Sequence, residues 1–281
     1  MRFILPTGKS DRLNAAAVMA HRLDEEPNSE FTLVRLESDS YIVSHTVAVQ
    51  DIRSYELRDT QRPGRDARVG LLPPKLAQIM LNLALSPASG RGQNPLRILD
   101  PFCGMGTILQ EGWLMDYHMV GSDSSERMTK AATKNLAWLK EHFKVSSALE
   151  PNIFVHQADT KWAKRWHDAF DAVVTEPFLG KPVKVPLPPR ELARRMNELG
   201  ELYQHVFRRT HAVLKDGGSL VFALPAWRTR DGWQLYPEAF LDALARLGYS
   251  KHQLGNEPRG TLLYARPDAL VGRELTLWHK I

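Results

Sequence analysis

From about residue 95 onward, strand-like and helix-like segments alternate with little interruption, which leaves the chain few architectures to choose from. RILDPF precedes a helical stretch over 107–116, HMVGSD one over 125–143, NIFVHQAD a short one, DAVVTEPF one over 189–214, and SLVFALP one over 236–247. Strands joined through helices run parallel by crossover connections, so the pattern predicts a doubly wound, mainly parallel α/β sheet covered on both faces. The helix over 189–214 is the best defined. Leu192, Met196, Leu199, Tyr203, Val206, Thr210 and Val213 recur at three- and four-residue steps, and Gly217 and Gly218 mark its end. YSKHQLG and TLLYARP, separated by Asn256, Pro258 and Gly260, predict an antiparallel hairpin at the carboxyl end.

The region before residue 95 divides in two. Residues 1–57 mix a helical stretch near Leu13–Leu23 with β-like runs at Phe31–Leu36 and Tyr41–Val49, a small α+β segment. Residues 58–94 read as a basic linker, with Arg58, Arg62, Arg65 and Arg68 among prolines and glycines, followed by a helix from Pro74 to about Leu85. Arg62, Arg65 and Arg68 are candidates for a phosphate-binding strip, since guanidinium groups make bidentate contacts with phosphate. A solvated linker with arginines paired to Asp59 and Asp66 accounts for the same residues. The Gly, Ser and Pro content of Ser86–Asn94 marks the boundary of a domain over 95–281.

Composition narrows the function classes. With 281 residues, 43% hydrophobic and 25% charged, the chain has ordinary globular composition, and no apolar run approaches the roughly 18 residues of a membrane span. The short apolar run near the start lacks the core of a secretory signal, so a cytoplasmic protein is expected. The single cysteine, Cys103, excludes an internal disulfide and a thiolate zinc cluster, and the ten histidines show no helix-borne metal spacing; no metal is expected. The 37 Lys+Arg against 32 Asp+Glu give a net charge of +5, a mild bias toward a polyanionic partner.

The sharpest local signal is Leu99-Asp100-Pro101-Phe102-Cys103-Gly104-Met105-Gly106-Thr107, a strand that ends in an acid and a glycine turn and opens a helix. Ligands of α/β sheets bind at the carboxyl ends of strands, where glycine lets the backbone approach and a helix start offers free N–H groups. Asp100, Phe102, Gly104 and Gly106 are therefore candidate cofactor contacts. A dinucleotide fingerprint requires a third glycine where Leu109 stands, and no phosphate-loop lysine follows. Asp123, about 20 residues after the turn at the end of HMVGSD, stands where a carboxylate bonds ribose hydroxyls, with Ser124 beside it. Asp159, with Thr160, ends the next strand, where an acid can accept from an adenine amino group or cap the following helix.

DPFCGMGT and the two acids that follow resemble motifs I to III of class I S-adenosylmethionine-dependent methyltransferases. Together with RPGRDARVGLLPPKLAQIMLNLA upstream, they resemble the THUMP-associated tRNA guanosine-N2 methyltransferases and their bacterial DNA-methylase-like relatives. The resemblance implies a seven-stranded Rossmann-like sheet, S-adenosylmethionine as cofactor and tRNA as partner. It also implies that Leu71–Leu83 flank the cofactor and that residues 1–50 match the tail of an RNA-presenting module. In that family a D/N-P-P-Y/F motif orients the target amine. Here Thr175-Glu176-Pro177-Phe178-Leu179-Gly180 takes its place, with Glu176, Pro177 and Phe178 as the implied carboxylate, rigid turn and stacking face. An alternative alignment puts Thr175 at the acid position. The activity implied is methylation of an exocyclic amino group in RNA, guanosine N2 in tRNA first. DNA amino-methylation and a non-catalytic RNA-binding module stay open. Cys103, inside the cofactor turn, is badly placed to be the nucleophile of a carbon methyltransferase.

Overall fold

A computed structural model of the chain describes residues 4–6, 12–37, 40–65, 71–84, 95–155, 166–256 and 258–281. They fall into two compact units, Met1–Gln61 and Arg62–Ile281. In the smaller, helix α1 (Ala15–Ala20) begins where the Asn14 side chain accepts from the Ala17 N–H at 2.8 Å. An antiparallel ribbon of β1 (Phe31–Arg35) and β2 (Tyr41–His45) follows. Residues 58–60, expected in a linker, instead belong to helix α2 (Ile52–Thr60). Asp51 caps it through the Ser54 N–H at 3.0 Å, and no proline or glycine interrupts the chain before Pro63. Arg68, Asp159, Thr160 and the short helix expected after Asp159 lie outside the described residues.

The larger unit carries α3 (Pro74–Ala84), β3 (Arg97–Asp100), α4 (Thr107–Leu114), β4 (His118–Asp123), α5 (Glu126–His142), β5 (Asn152–Val155) and β6 (Phe170–Thr175). After these come α6 (Pro189–Val213), β7 (Leu214–Thr229), β8 (Gly232–Gln234), α7 (Glu238–Ala245), β9 (Tyr249–His252), β10 (Leu262–Tyr264) and β11 (Val271–Lys280). The described strands form one nine-stranded sheet whose main path is β10-β11-β7-β6-β3-β4-β5, with β8 paired to β7 and β9 to β11. From β7 to β5 all neighbours are parallel, as the alternation predicts. β11 enters antiparallel beside β7.

Side-chain alternation along the strands sorts two cores onto the two faces. Leu99, Val173, Leu220, Phe222 and Leu224 pack on one face with Tyr203, Val206 and Phe207 of α6. Ile98, Ala172, Val174, Val221 and Ala223 point to the other face, under Leu76 and Met80 of α3 and Leu109 and Trp113 of α4. Helix α3 is thus part of the larger unit's core.

Two local expectations are corrected. Helix α6 stops at Val213 and the chain passes straight into β7 at Leu214, so Gly217 and Gly218 lie within that strand. The expected hairpin partners β9 and β10 do not pair with each other. Both lie antiparallel along one side of β11, at Leu277–Lys280 and at Arg273–Leu275, and the hairpin is formed by β10 and β11. Glu274, fully buried in β11, explains the arrangement: it accepts from Thr261 Oγ1 at 2.8 Å and from Arg259 Nη2 at 3.0 Å, tying the intervening loop to β11.

Candidate active site

The strand order reverses between β3 and β6, and a crevice opens at their carboxyl ends. On the β3 side, the glycine turn is docked on β4 by the Cys103 N–H donating to Ser122 O at 2.9 Å. Gly106 has φ of 81° and precedes α4, and a Cβ there would stand 3.1 Å from Ala132 Cβ of α5. Gly106 therefore serves the packing of α4 on α5, and the cleft is lined instead by Gly104. Gly104 has φ of 50°, with nothing nearer than 3.9 Å to a built Cβ, so its backbone is open to a ligand. Asp123 ties this turn down. Its Oδ2 accepts the Gly104 N–H at 3.0 Å and its Oδ1 the Ser125 N–H at 2.8 Å, while the residue itself lines the cleft.

Asp100 sits at the bottom, 1% exposed. Its carboxyl is raised to about 8 in all, chiefly by burial. The Thr175 hydroxyl, donating to Oδ1 at 2.7 Å, and the Phe102 N–H at 3.2 Å pull it back, while Asp123 and Glu176 push it further up. The two residues offered for the acid position have different surroundings. Thr175 is buried and committed to Asp100, and Glu176, the first residue past β6, is the one that faces the cleft. Cys103 is buried and its thiol is pushed well above the usual range by burial, next by Asp100 and Asp123, which disfavours the nucleophilic thiolate.

The opposite wall is built by the segment after β6. Pro177 is buried, whereas Phe178 is 54% exposed at the cleft, its carbonyl held by the Tyr203 hydroxyl of α6 at 2.9 Å. Glu176 is in a bidentate pair with Arg273 of β11, Nε to Oε2 at 2.5 Å and Nη2 to Oε1 at 3.1 Å. Sequence reasoning missed Arg273, because 97 positions separate the two residues and only the placement of β11 joins them. Asp100, Phe102, Gly104, Asp123, Ser124, Glu176, Pro177 and Phe178 line one cleft of about 1120 Å³, joined by Leu71 and Leu72 just ahead of α3.

Of the basic strip, Arg62 and Arg65 have different surroundings. Arg62 is 2% exposed and donates from Nη1 to Thr107 Oγ1 at 2.8 Å, so it braces the start of α4 and has no surface for phosphate. Arg65 is exposed. Trp227 is buried against Tyr236, so its ring is not open to stack on a base.

The donor set fits an adenosyl sulfonium cofactor. Acidic side chains stand at two adjacent strand ends, an unobstructed glycine backbone lies between them, and the apolar ring of Phe102 lines the same wall. Comparison with known proteins agrees with this arrangement. The UPF0020 family, described as an RMKL-like methyltransferase domain, matches residues 62–231. The chain belongs to this family. The methyltransferase-domain match begins at Arg62, where the larger unit begins. A tRNA (guanine(10)-N2)-dimethyltransferase of Methanothermobacter thermautotrophicus is 31% identical over 198 residues, 69% of this chain and 51% of that protein. Another of the same name, from Methanocaldococcus jannaschii, is 28% identical over 71% of this chain and 50% of its own length. The chain thus spans about half the length of the curated relatives it matches. Among solved structures, magnesium protoporphyrin IX methyltransferase of Synechocystis PCC 6803 with bound SAM overlays at a TM-score of 0.49 and 13% identity, covering 84% of this chain and 100% of that one.

Proposed function

We propose that this methyltransferase domain binds S-adenosylmethionine against Asp100, Gly104 and Asp123 and methylates an exocyclic amino group in RNA, guanosine N2 of tRNA, in the cytoplasm. The observation that carries the reading is one cleft with two chemically different walls, a carboxylate-and-glycine wall at β3 and β4 and the Glu176-Pro177-Phe178 wall past β6. The names of the relatives at 31% and 28% identity supply the base and the RNA class.

The bound cofactor supplies an electrophilic methyl group on sulfur. The chain supplies orientation. A base amine is a poor nucleophile because its lone pair is delocalised into the ring, and acceptors for its hydrogens localise and aim that pair. A carboxylate is acceptor-only, with two oxygens. Guanine offers two neighbouring donors, N1–H and N2–H, whereas adenine and cytosine set their amine beside a ring nitrogen that accepts. Glu176 therefore suits guanine, and exposed Phe178 offers a stacking face worth about 1–3 kcal/mol. The methylated ammonium loses its proton readily, so no strong base is needed.

Two measurements test the reading. Calorimetry with S-adenosylmethionine should show weaker binding in both Asp100→Ala and Asp123→Ala; parental affinity in both would reject the site. Tritiated methyl should pass to tRNA transcripts and not to duplex DNA, and the reverse preference would move the domain to DNA amino-methylation.

A further inference from the structure

We infer that Arg273 is a positioning residue for methyl transfer, one that fixes the Glu176 carboxylate in the plane from which it meets the target amine. The inference rests on the role of Glu176 proposed above. Its basis is an overhang in the sheet. The last pairing between β6 and β7 is Thr175 with Phe222, yet β7 continues beside β11 as far as Trp227 with Val271. These two strands run past the end of β6, and β11 forms a side wall whose Val271 and Arg273 line the cleft. Arg273 stands on that wall, opposite Pro225 of β7 and Tyr264 of β10, and its guanidinium turns back onto the first residue beyond β6.

Both side chains are 14% exposed, and among the described residues neither has another ion-pair partner. The fork geometry matters more than the charge. A guanidinium bonded through Nε and Nη2 to both oxygens of a carboxylate fixes its plane, which a single ammonium cannot do. It uses one lone pair of each oxygen and leaves the others for N–H groups arriving from the cleft. Glutamate carries one more rotatable bond than aspartate, so a glutamate in an orienting position needs an external clamp. The loss from imperfect aim is large, since a misplacement of about 1 Å costs on the order of 10²-fold in rate.

The test compares Arg273→Ala, Arg273→Lys, Glu176→Gln and the Glu176→Gln/Arg273→Ala double variant for methyl transfer to total RNA. Thermal melting and cofactor calorimetry serve as controls. Arg273→Ala should lower kcat by roughly 10- to 100-fold while KM for RNA and cofactor affinity stay near parental. Arg273→Lys should recover only part of that loss. Methylguanidinium added to Arg273→Ala should restore part of kcat and do nothing for the double variant, which should be no slower than Glu176→Gln alone. A parental kcat in Arg273→Ala, or losses that multiply in the double variant with no rescue, would overturn the inference. If Arg273→Ala does not fold, a parental kcat in Arg273→Lys overturns it equally. A parental protein that methylates no RNA would reject the functional reading and the Arg273 role with it; an active parental protein indifferent to Arg273 rejects the role alone.

Discussion

Asp100 and Glu176 are two carboxylates in one cleft with opposite surroundings, one buried and bonded by a neutral hydroxyl, the other clamped by a guanidinium. Asp100, at about 8, stays protonated in the fold through the range where an unfolded chain has already released that proton, above about pH 4. The unfolded state then binds fewer protons than the native one, so Asp100 lowers stability as pH rises from about 4 to about 8. Asp100→Asn removes this dependence. The melting temperature of the ligand-free variant should gain on the parental one between pH 5 and pH 8, and a difference independent of pH would contradict the assignment. Glu176→Gln keeps the shape and one acceptor oxygen but loses the charge that favours positive charge developing on the amine. Its methyl-transfer rate should fall by roughly 10²–10³ at unchanged cofactor affinity. That Asp100, Gly104 and Asp123 stand together at one cleft was legible in the sequence because a strand end, a glycine turn and a spacing of about 20 residues are local signals. Arg62 was misread because residue type reports charge and not burial, and its partner Thr107 lies 45 positions away.

At the scale of elements, helices were the most legible part. The apolar stripe of α6 predicted its span to within a residue, and that stripe packs as expected, with Phe207 against Phe222, Tyr249 and Trp278 at 5.0, 5.4 and 5.5 Å between ring centroids. Phe207→Ala should cost about 3–5 kcal/mol, read as a lower denaturant midpoint with an unchanged slope. Strand pairing was harder to see. The turn residues Asn256, Pro258 and Gly260 mark a loop without saying which strand the flanking segments pair with, and the buried Glu274 of β11 settles it from a distance. Gly106→Ala tests the glycine turn as an element. The left-handed backbone alone costs a residue with a Cβ about 1–2 kcal/mol, and the contact with Ala132 adds to it. Both the melting temperature and cofactor affinity should drop, and a variant parental in both would contradict the packing described for α4 on α5.

For the whole molecule, a net charge of +5 suits an RNA partner, and of the candidate phosphate contacts Arg62 is buried while Arg65 is exposed. RNA affinity should weaken steeply with salt. Arg65→Ala should reduce that slope by about one if Arg65 meets a phosphate, whereas Arg62→Ala should leave the slope alone and lower stability. Equal slopes for the parental protein and Arg65→Ala would remove this residue from the interface. No helix among the described residues is long and apolar enough to cross a membrane. The most direct test of the account is nucleoside mass spectrometry of total RNA incubated with the protein and S-adenosylmethionine. The account predicts N2-methylguanosine with the parental protein and near-background amounts with Glu176→Gln at equal cofactor binding. Cofactor binding without any methylated nucleoside, or an equal yield from Glu176→Gln, would contradict it.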